Sequence, residues 1–389
     1  MDEILKVGVN EMAGMAFDCS CGERHFVDID KIAIGENMMG QILETVSDNK
    51  GKRLMLVADN NTYEVYGREV EENLKKEGFS FKTFVYHTVN ALVPDEKSAG
   101  RLLFEVENET DFIVAVGSGV INDLAKIVSA RTGIPYIICA TAPSMDGYAS
   151  VVAPFIIDGV KTTLLATYPK AIIGDVNIMK DAPMEMLRAG FGDMLGKITA
   201  LADWELARKV KNDRYCSTTV TLVKNALDKI FSNVDGLLKR DKKAVGYVME
   251  GLVLSGIAIG LYGDSRPASG GEHNFSHYWD MDFIAKGLEH PLHGNSVAAG
   301  TIVTAYAYQL IKDELPEGIE CPDPEDLIRK LEAVGSTYSP KEIGISRELF
   351  IESMYKALDL KPRYTVFHYI RELGRLDEIA RILTEKFYG

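Results

Sequence analysis

The feature that most limits the fold of this chain is a series of short apolar segments, most of them closed by a glycine, an aspartate or a small polar turn, with helical stretches between them. Residues 31–34 end at Gly35, and 53–58 end at Asp59. Residues 81–86 follow a charged helical segment over 63–77. Residues 111–116 run into Gly117-Ser118-Gly119, and 135–140 into Thr141-Ala142-Pro143-Ser144. Continuous apolar strands of this length, spaced by single helices, are those of a parallel sheet covered on both faces. Ligands of such sheets collect beyond the carboxyl ends of the strands, where Asp59, Gly117 to Gly119 and Thr141 to Asp146 fall. A last apolar strand, 171–175, precedes Asp181-Ala182-Pro183, which reads as a helix start with proline in the first turn. Beyond it the apolar spacing is helical nearly to Gly389, over 187–207, 218–238 and 244–259. The expectation is an α/β parallel-sheet domain over 1–182, an all-α domain over 183–389, and a cleft between them.

Length supports two domains, because 389 residues exceed the size at which one core keeps growing. With 43 basic and 57 acidic residues the net charge is −14, which argues against non-specific nucleic-acid binding and against an anionic membrane surface. An anionic substrate would therefore need a local basic pocket. No apolar run reaches the length of a membrane span; the longest, 251–263, is interrupted by glycines and preceded by Glu250. The first residues lack a basic segment leading into an apolar one, so no signal peptide is expected. Five scattered cysteines fit a reducing cytoplasm. Cys19-Ser20-Cys21-Gly22 with His25 looks like half of a metal knuckle. A structural zinc takes four ligands in two pairs, and no second pair lies nearby, so a β-turn with free thiols is expected.

Four of the seven histidines fall between 273 and 293, among glycines. His273 and His277 share a helix face, whereas Pro291 and Gly294 place His290 and His293 in a turn or helix start. Helix capping is the plainer reading of any one of them. Gly117-Ser118-Gly119 joins a strand to a helix whose N-terminal amides suit a diphosphate, although the turn is also ordinary structural punctuation and Asn122 replaces the third glycine of a dinucleotide fingerprint. In Gly190-Phe191-Gly192-Asp193, the carboxylate stands among apolar and small residues and aligns with Lys197. Asp193 is then either a cap or ion-pair partner, or a metal ligand. Taken with His273 and His293, it completes an N/N/O set with open coordination positions, as catalytic metals have.

The series GSGxxxDxxK, TAPSMDGYAS, GFGDMLGK, SGGEHNFSHYW and HPLHGNSV resembles the dehydroquinate synthase–glycerol dehydrogenase–iron alcohol dehydrogenase superfamily, and within it the glycerol-1-phosphate dehydrogenases, over about residues 30–385. The resemblance implies an N-terminal nucleotide-binding domain and a helical domain, with the active site in the cleft. It implies Asp193, His273 and His293 as ligands of one divalent metal (zinc, nickel or iron), making Asp193 catalytic. It places NAD(H), or NADP(H), at Asp59, Gly117, Ser118, Gly119, Asp123, Thr141, Ser144 and Ser150, and sets Asp146 facing the substrate.

A metal held this way can polarise the carbonyl of dihydroxyacetone phosphate for hydride transfer, giving glycerol 1-phosphate, with Asp146 as a proton relay. Lys161, Arg266 and His277 are the expected phosphate contacts. Asp59 would repel a 2′-phosphate, which favours NADH. The partners expected are a phosphorylated triose and a second copy of the chain. The competing readings are a glycerol dehydrogenase, a lyase like dehydroquinate synthase, and a binding protein without catalysis.

Overall fold

A computed structural model describes residues 2–49, 51–89 and 91–389. Two three-residue strands, β1 (Ala16–Asp18) and β2 (Arg24–Phe26), form a small antiparallel hairpin. The main sheet has six parallel strands: β3 (Lys31–Gly35), β4 (Arg53–Asp59), β5 (Ser80–Tyr86), β6 (Phe112–Gly117), β7 (Tyr136–Ala140) and β10 (Ala171–Asp175). Their order is β3-β10-β7-β6-β4-β5. Between β7 and β10 a second antiparallel hairpin is inserted, β8 (Val152–Ile157) and β9 (Val160–Leu165). Asp158 and Gly159 turn it, both with positive φ (50° and 76°), the backbone that a two-residue hairpin loop requires.

Every residue of β6 and β7 is buried, which is why their sequences show no alternation. The strand order reverses between β4 and β6. The chain runs from β4 to β5 at one edge, then crosses back to lay β6 on the other side of β4. A crevice opens at the carboxyl ends of such a pair because the two connections leave in opposite directions. Asp59 ends β4 and Gly117 ends β6. The loop after β7 is tied to the same place by the Thr141 amide, which donates to the Gly117 carbonyl at 3.0 Å.

The remainder is helical. Met184–Lys211 begins directly after Pro183 and stops at Asn212, whose φ of 56° ends the helix in the left-handed region. A single helix over 218–238 is expected; instead Ser217–Phe231 ends and a separate turn, Val234–Leu237, follows. The Asn233 side-chain amide donates to the Lys229 carbonyl at 2.8 Å, satisfying an acceptor that a continuing helix would have used.

Lys242–Tyr262 is long and apolar enough to cross a bilayer, contrary to the reading that its glycines interrupt it. It is instead a core helix, with 78% of its most apolar window buried. Its glycines mark close approaches rather than breaks. A Cβ on Gly256, for instance, would lie 2.9 Å from the Asp146 carbonyl. The residues before β3 lie against this helical half, since Cys19 meets Cys216 and Thr218.

Candidate active site

Three helices converge on one point. Met184–Lys211 supplies Asp193, Gly271–Ala285 supplies His273 and His277, and His293 is the first residue of His293–Leu310. Helix axes normally stay about 8–10 Å apart, and glycines let these come closer. A Cβ on Gly294 would lie 1.7 Å from the Ala189 carbonyl oxygen, and one on Gly192 would lie 2.4 Å from that of Gly294. Donor atoms of Asp193, His273 and His293 thereby come within 4.8 Å of one another. His273 Nε2 stands 3.6 Å from Asp193 Oδ1.

The donor chemistry suits a divalent metal. Glu272 Oε1 accepts a hydrogen bond from His273 Nδ1 at 2.8 Å, which leaves the lone pair of Nε2 facing Asp193. Glu272 is itself held by the Gly270 amide at 2.6 Å and the Thr199 hydroxyl at 2.7 Å. Burial opposes its charge, yet the His273 hydrogen bond brings its pKa below the usual value. His293 is driven down to about 4, mainly by burial, and is therefore a neutral imidazole able to ligate. Burial works against the Asp193 charge too, but the Lys197 ammonium beside it keeps the carboxyl well below the usual range. Glu272→Gln is expected to weaken metal affinity by roughly ten- to a hundredfold while leaving the fold intact, which titration of the metal-free protein with zinc measures.

Lys197 is fully buried and bridges two carboxylates, Asp193 and Asp146, the latter at 2.9 Å. Asp146 also accepts from the Ser255 hydroxyl at 2.8 Å, and its amide donates to Asp193 Oδ2 at 3.0 Å. The bland reading of Asp193 as a partner of Lys197 and its reading as a metal ligand are thus compatible: Lys197 holds the carboxylate in place, and each oxygen keeps a lone pair.

Beside the triad lies a basic cluster. Lys161, on β9, reaches Asp280 on the Gly271–Ala285 helix at 2.6 Å. His277 is stacked against His293, with centroids 5.7 Å apart, and its Nε2 lies 3.4 Å from Lys361 Nζ. Burial, then repulsion from Arg363 and Lys161, lowers the Lys361 pKa to about 8, against the weaker pull of Asp264 and Asp146. Burial and the two lysines likewise keep His277 neutral.

Arg266 does not join this cluster. Its guanidinium is buried, bonded to Asp213 and to the Tyr364 carbonyl, so its charge is already matched. His290 is exposed and turned onto the Pro291 carbonyl at 2.9 Å. Lys361 is a member of this cluster that the sequence reading missed. It sits in Lys361-Pro362-Arg363, where nothing local separates it from a solvated basic pair.

In the crevice, Gly119–Thr132 begins at Ser118, whose side chain makes no capping bond, so the first-turn amides are left for a ligand. Asp59 Oδ1 caps the following turn through the Asn61 and Thr62 amides at 2.8 and 2.9 Å. Asp123, one turn on in the same helix, is buried. It pairs with Lys126 at 3.3 Å, and burial pushes its pKa up to about 6. Lys126 in turn donates to the Gly147 and Val152 carbonyls, fixing the loop that carries Asp146. Thr141 is buried, and Ser144 sits partly exposed in the same loop. Ser150 closes a local turn with Val152 through its hydroxyl.

The sheet-plus-helices architecture is shared with dehydrogenases and reductases of known structure. Glycerol dehydrogenase of Schizosaccharomyces pombe superposes with a TM-score of 0.68 at 17% identity, over 91% of this chain and 90% of that one. Maleylacetate reductase of a Rhizobium species gives 0.69 at 18%, over 90% and 96%. Residues 33–183 match the family model for iron-containing alcohol dehydrogenases. Among curated relatives, the glycerol-1-phosphate dehydrogenase [NAD(P)+] of Halalkalibacterium halodurans is 33% identical over 92% of this chain and 96% of its own length. That of Thermococcus kodakarensis is 32% identical over 92% and 94%. The chain belongs to the glycerol-1-phosphate dehydrogenase family.

Proposed function

We propose that this protein reversibly reduces dihydroxyacetone phosphate to glycerol 1-phosphate, using NADH or NADPH and a divalent metal (zinc, nickel or iron) held by Asp193, His273 and His293. The observation that carries the substrate is the convergence of Lys161 and Lys361 on the His277 side of the triad, in a chain of net charge −14. Lys161 gives one of its three N–H donors to Asp280, whereas Lys361 has no carboxylate within salt-bridge distance among the described residues, so the pair still carries net positive charge for an anion such as a phosphate.

When bound, the metal supplies Lewis-acid polarisation of the substrate carbonyl, and the reduced nicotinamide supplies the hydride. The chain's own residues do the rest. The amides of the Gly119–Thr132 helix, with Gly117 and Ser118, receive the diphosphate, and Asp59 at the end of β4 receives the adenosine ribose, disfavouring a 2′-phosphate. Thr141 and Ser144, in the loop after β7, line the nucleotide beyond the diphosphate. Lys161 and Lys361 orient the phosphate, so that the carbonyl end points to the triad. Lys197 holds Asp146 and Asp193 in register. Ser255 Oγ and Asp146 Oδ2, 2.8 Å apart, carry the proton that completes the product hydroxyl.

In the same reading, residues 1–182 form the nucleotide-binding domain and 183–389 the metal- and substrate-binding one. The protein assembles with itself as a homodimer or a higher homo-oligomer, and five cysteines without a disulfide favour the cytoplasm.

Lys161→Met and Lys361→Met should each raise KM for dihydroxyacetone phosphate by roughly ten- to a hundredfold, the worth of one charged hydrogen bond. Turnover of unphosphorylated dihydroxyacetone should be unchanged. The Lys361 ammonium is present below its pKa of about 8 and lost above it. Preference for the phosphorylated over the unphosphorylated ketone, as a ratio of kcat/KM values, should therefore fall as pH rises through 8. Lys361→Met should flatten that profile; a fall that persists unchanged in the variant would assign it to another group among those facing the site (Lys161, His277, Arg363, Asp264 and Asp146).

A further inference from the structure

Four donors that the proposed reaction does not use meet elsewhere in the molecule. Cys19 and Cys21 lie in the connection between β1 and β2, His25 lies in β2, and Cys216 directly precedes the Ser217–Phe231 helix. Their sulfur and nitrogen atoms all fall within 4.8 Å of one another. Cys19 Sγ is 3.7 Å from Cys216 Sγ, and His25 Nε2 is 3.3 Å from Cys21 Sγ and 3.8 Å from Cys216 Sγ. Zinc bonds of about 2.3 Å to sulfur and about 2.0 Å to nitrogen, set tetrahedrally, give donor–donor edges of roughly 3.5–3.8 Å. The expected β-turn is present, closed by the Gly22 amide on the Cys19 carbonyl at 2.9 Å, and the ligand that local spacing did not offer is Cys216, 191 positions beyond His25.

We propose that Cys19, Cys21, His25 and Cys216 bind a structural zinc ion that fastens the N-terminal hairpin to the helical half. Four protein ligands leave no coordination position open, which separates this site from the triad. Burial pushes the Cys19 thiol up to about 12, so a bound ion would itself have to displace that proton. The Cys21 amide donates to Cys19 Sγ at 3.5 Å, and the Cys19 thiol donates to the Thr218 hydroxyl oxygen at 3.2 Å, the hydroxyl's own proton being given to Asp2. The Leu261 backbone hydrogen-bonds the His25 imidazole, and Arg214 contributes positive charge near His25 and Cys21. Asp2 approaches Cys19 at 3.5 Å, with its carboxylate engaged by the Ser20 hydroxyl and by Thr218.

The need for such a clasp is physical. A two-stranded ribbon of three residues per strand is not stable alone, and its anchorage otherwise consists of few buried side chains, Phe17 and His25 among them. A disulfide between Cys19 and Cys216 is the alternative use of these thiols, but it would leave Cys21 and His25 gathered there without purpose.

The test is cobalt substitution of the full-length protein. Only this site offers sulfur, so thiolate-to-cobalt charge-transfer absorption reports it separately from the triad. The absorption should appear in wild type and persist in Asp193→Asn, which lacks the other ion's carboxylate. It should disappear in Cys216→Ser and in Cys21→Ser, and bleach when zinc is added. Zinc content should fall by one ion per chain in the cysteine variants. Cys21→Ser, at a partly exposed position, should keep its NADH oxidation at moderate temperature while its melting temperature drops. A wild-type protein without thiolate–cobalt absorption, zinc content indifferent to the cysteine variants, or a Cys19–Cys216 disulfide found by mass spectrometry in protein purified without added oxidant would overturn the proposal. None of these outcomes depends on what the triad catalyses.

Discussion

Asp193→Asn should cost roughly a thousandfold or more in kcat with dihydroxyacetone phosphate, because a Lewis acid contributes several kcal/mol of transition-state stabilisation and an amide is a poor substitute for the carboxylate that holds it. Its fold should survive. In the native chain Lys197 shares its ammonium between Asp193 and Asp146, and the variant retains Asp146 at 2.9 Å. The opposite change is more disruptive to structure. Lys197→Met leaves two carboxylates in one buried site, and removing one partner of a buried ion pair costs about 3–5 kcal/mol. Bound metal should recover part of that loss, so this variant's melting temperature should rise more steeply on metal addition than that of wild type. Equal metal affinity in wild type and Asp193→Asn, read by calorimetry, would remove Asp193 from the ligand set.

Gly294→Ala carries the second large effect. Its methyl group would have to occupy a point 1.7 Å from the Ala189 carbonyl oxygen, a rigid backbone atom inside the Met184–Lys211 helix. The His293–Leu310 helix must then move away, carrying His293 with it. Overpacking of this kind costs about 1–3 kcal/mol or more. A displacement near an ångström also exceeds what a coordinated ion tolerates. Stability and metal affinity should therefore fall together. Gly100→Ala is the control: no atom lies within 4 Å of its added Cβ, in the interior of the Glu96–Glu105 helix, so it should be neutral or stabilising by up to about 1 kcal/mol. If Gly294→Ala melts like wild type and binds metal equally well, close helix contact is not what assembles the triad.

Local pattern carried most of the architecture into view. The six sheet strands and the helix start after Pro183 each depend on neighbours a few residues apart, where period and turn chemistry are written directly. The Ser232–Asn233 break was not legible, because apolar spacing continues across it and a side-chain bond from Asn233 makes the interruption. At the site, the three convergent donors stood in recognisable motifs, whereas their supports did not. Glu272 differs from any helical glutamate only once Gly270, Thr199 and His273 are folded around it. Lys361 and Arg266 show the same limit from two sides. Both are cations in the helical half; burial near His277 singles out one, and a partner, Asp213, neutralises the other. Cys216 is the clearest case, since pairing across such a separation leaves no trace in spacing.

The most direct measurement is steady-state NADH oxidation by the purified protein with dihydroxyacetone phosphate and with dihydroxyacetone, before chelation, after it, and with zinc, nickel or iron(II) restored. The expected result is rapid oxidation with the phosphorylated ketone, little with the other, loss on chelation and recovery with at least one metal. Oxidation that ignores the chelator, or equal turnover of both ketones, would contradict it.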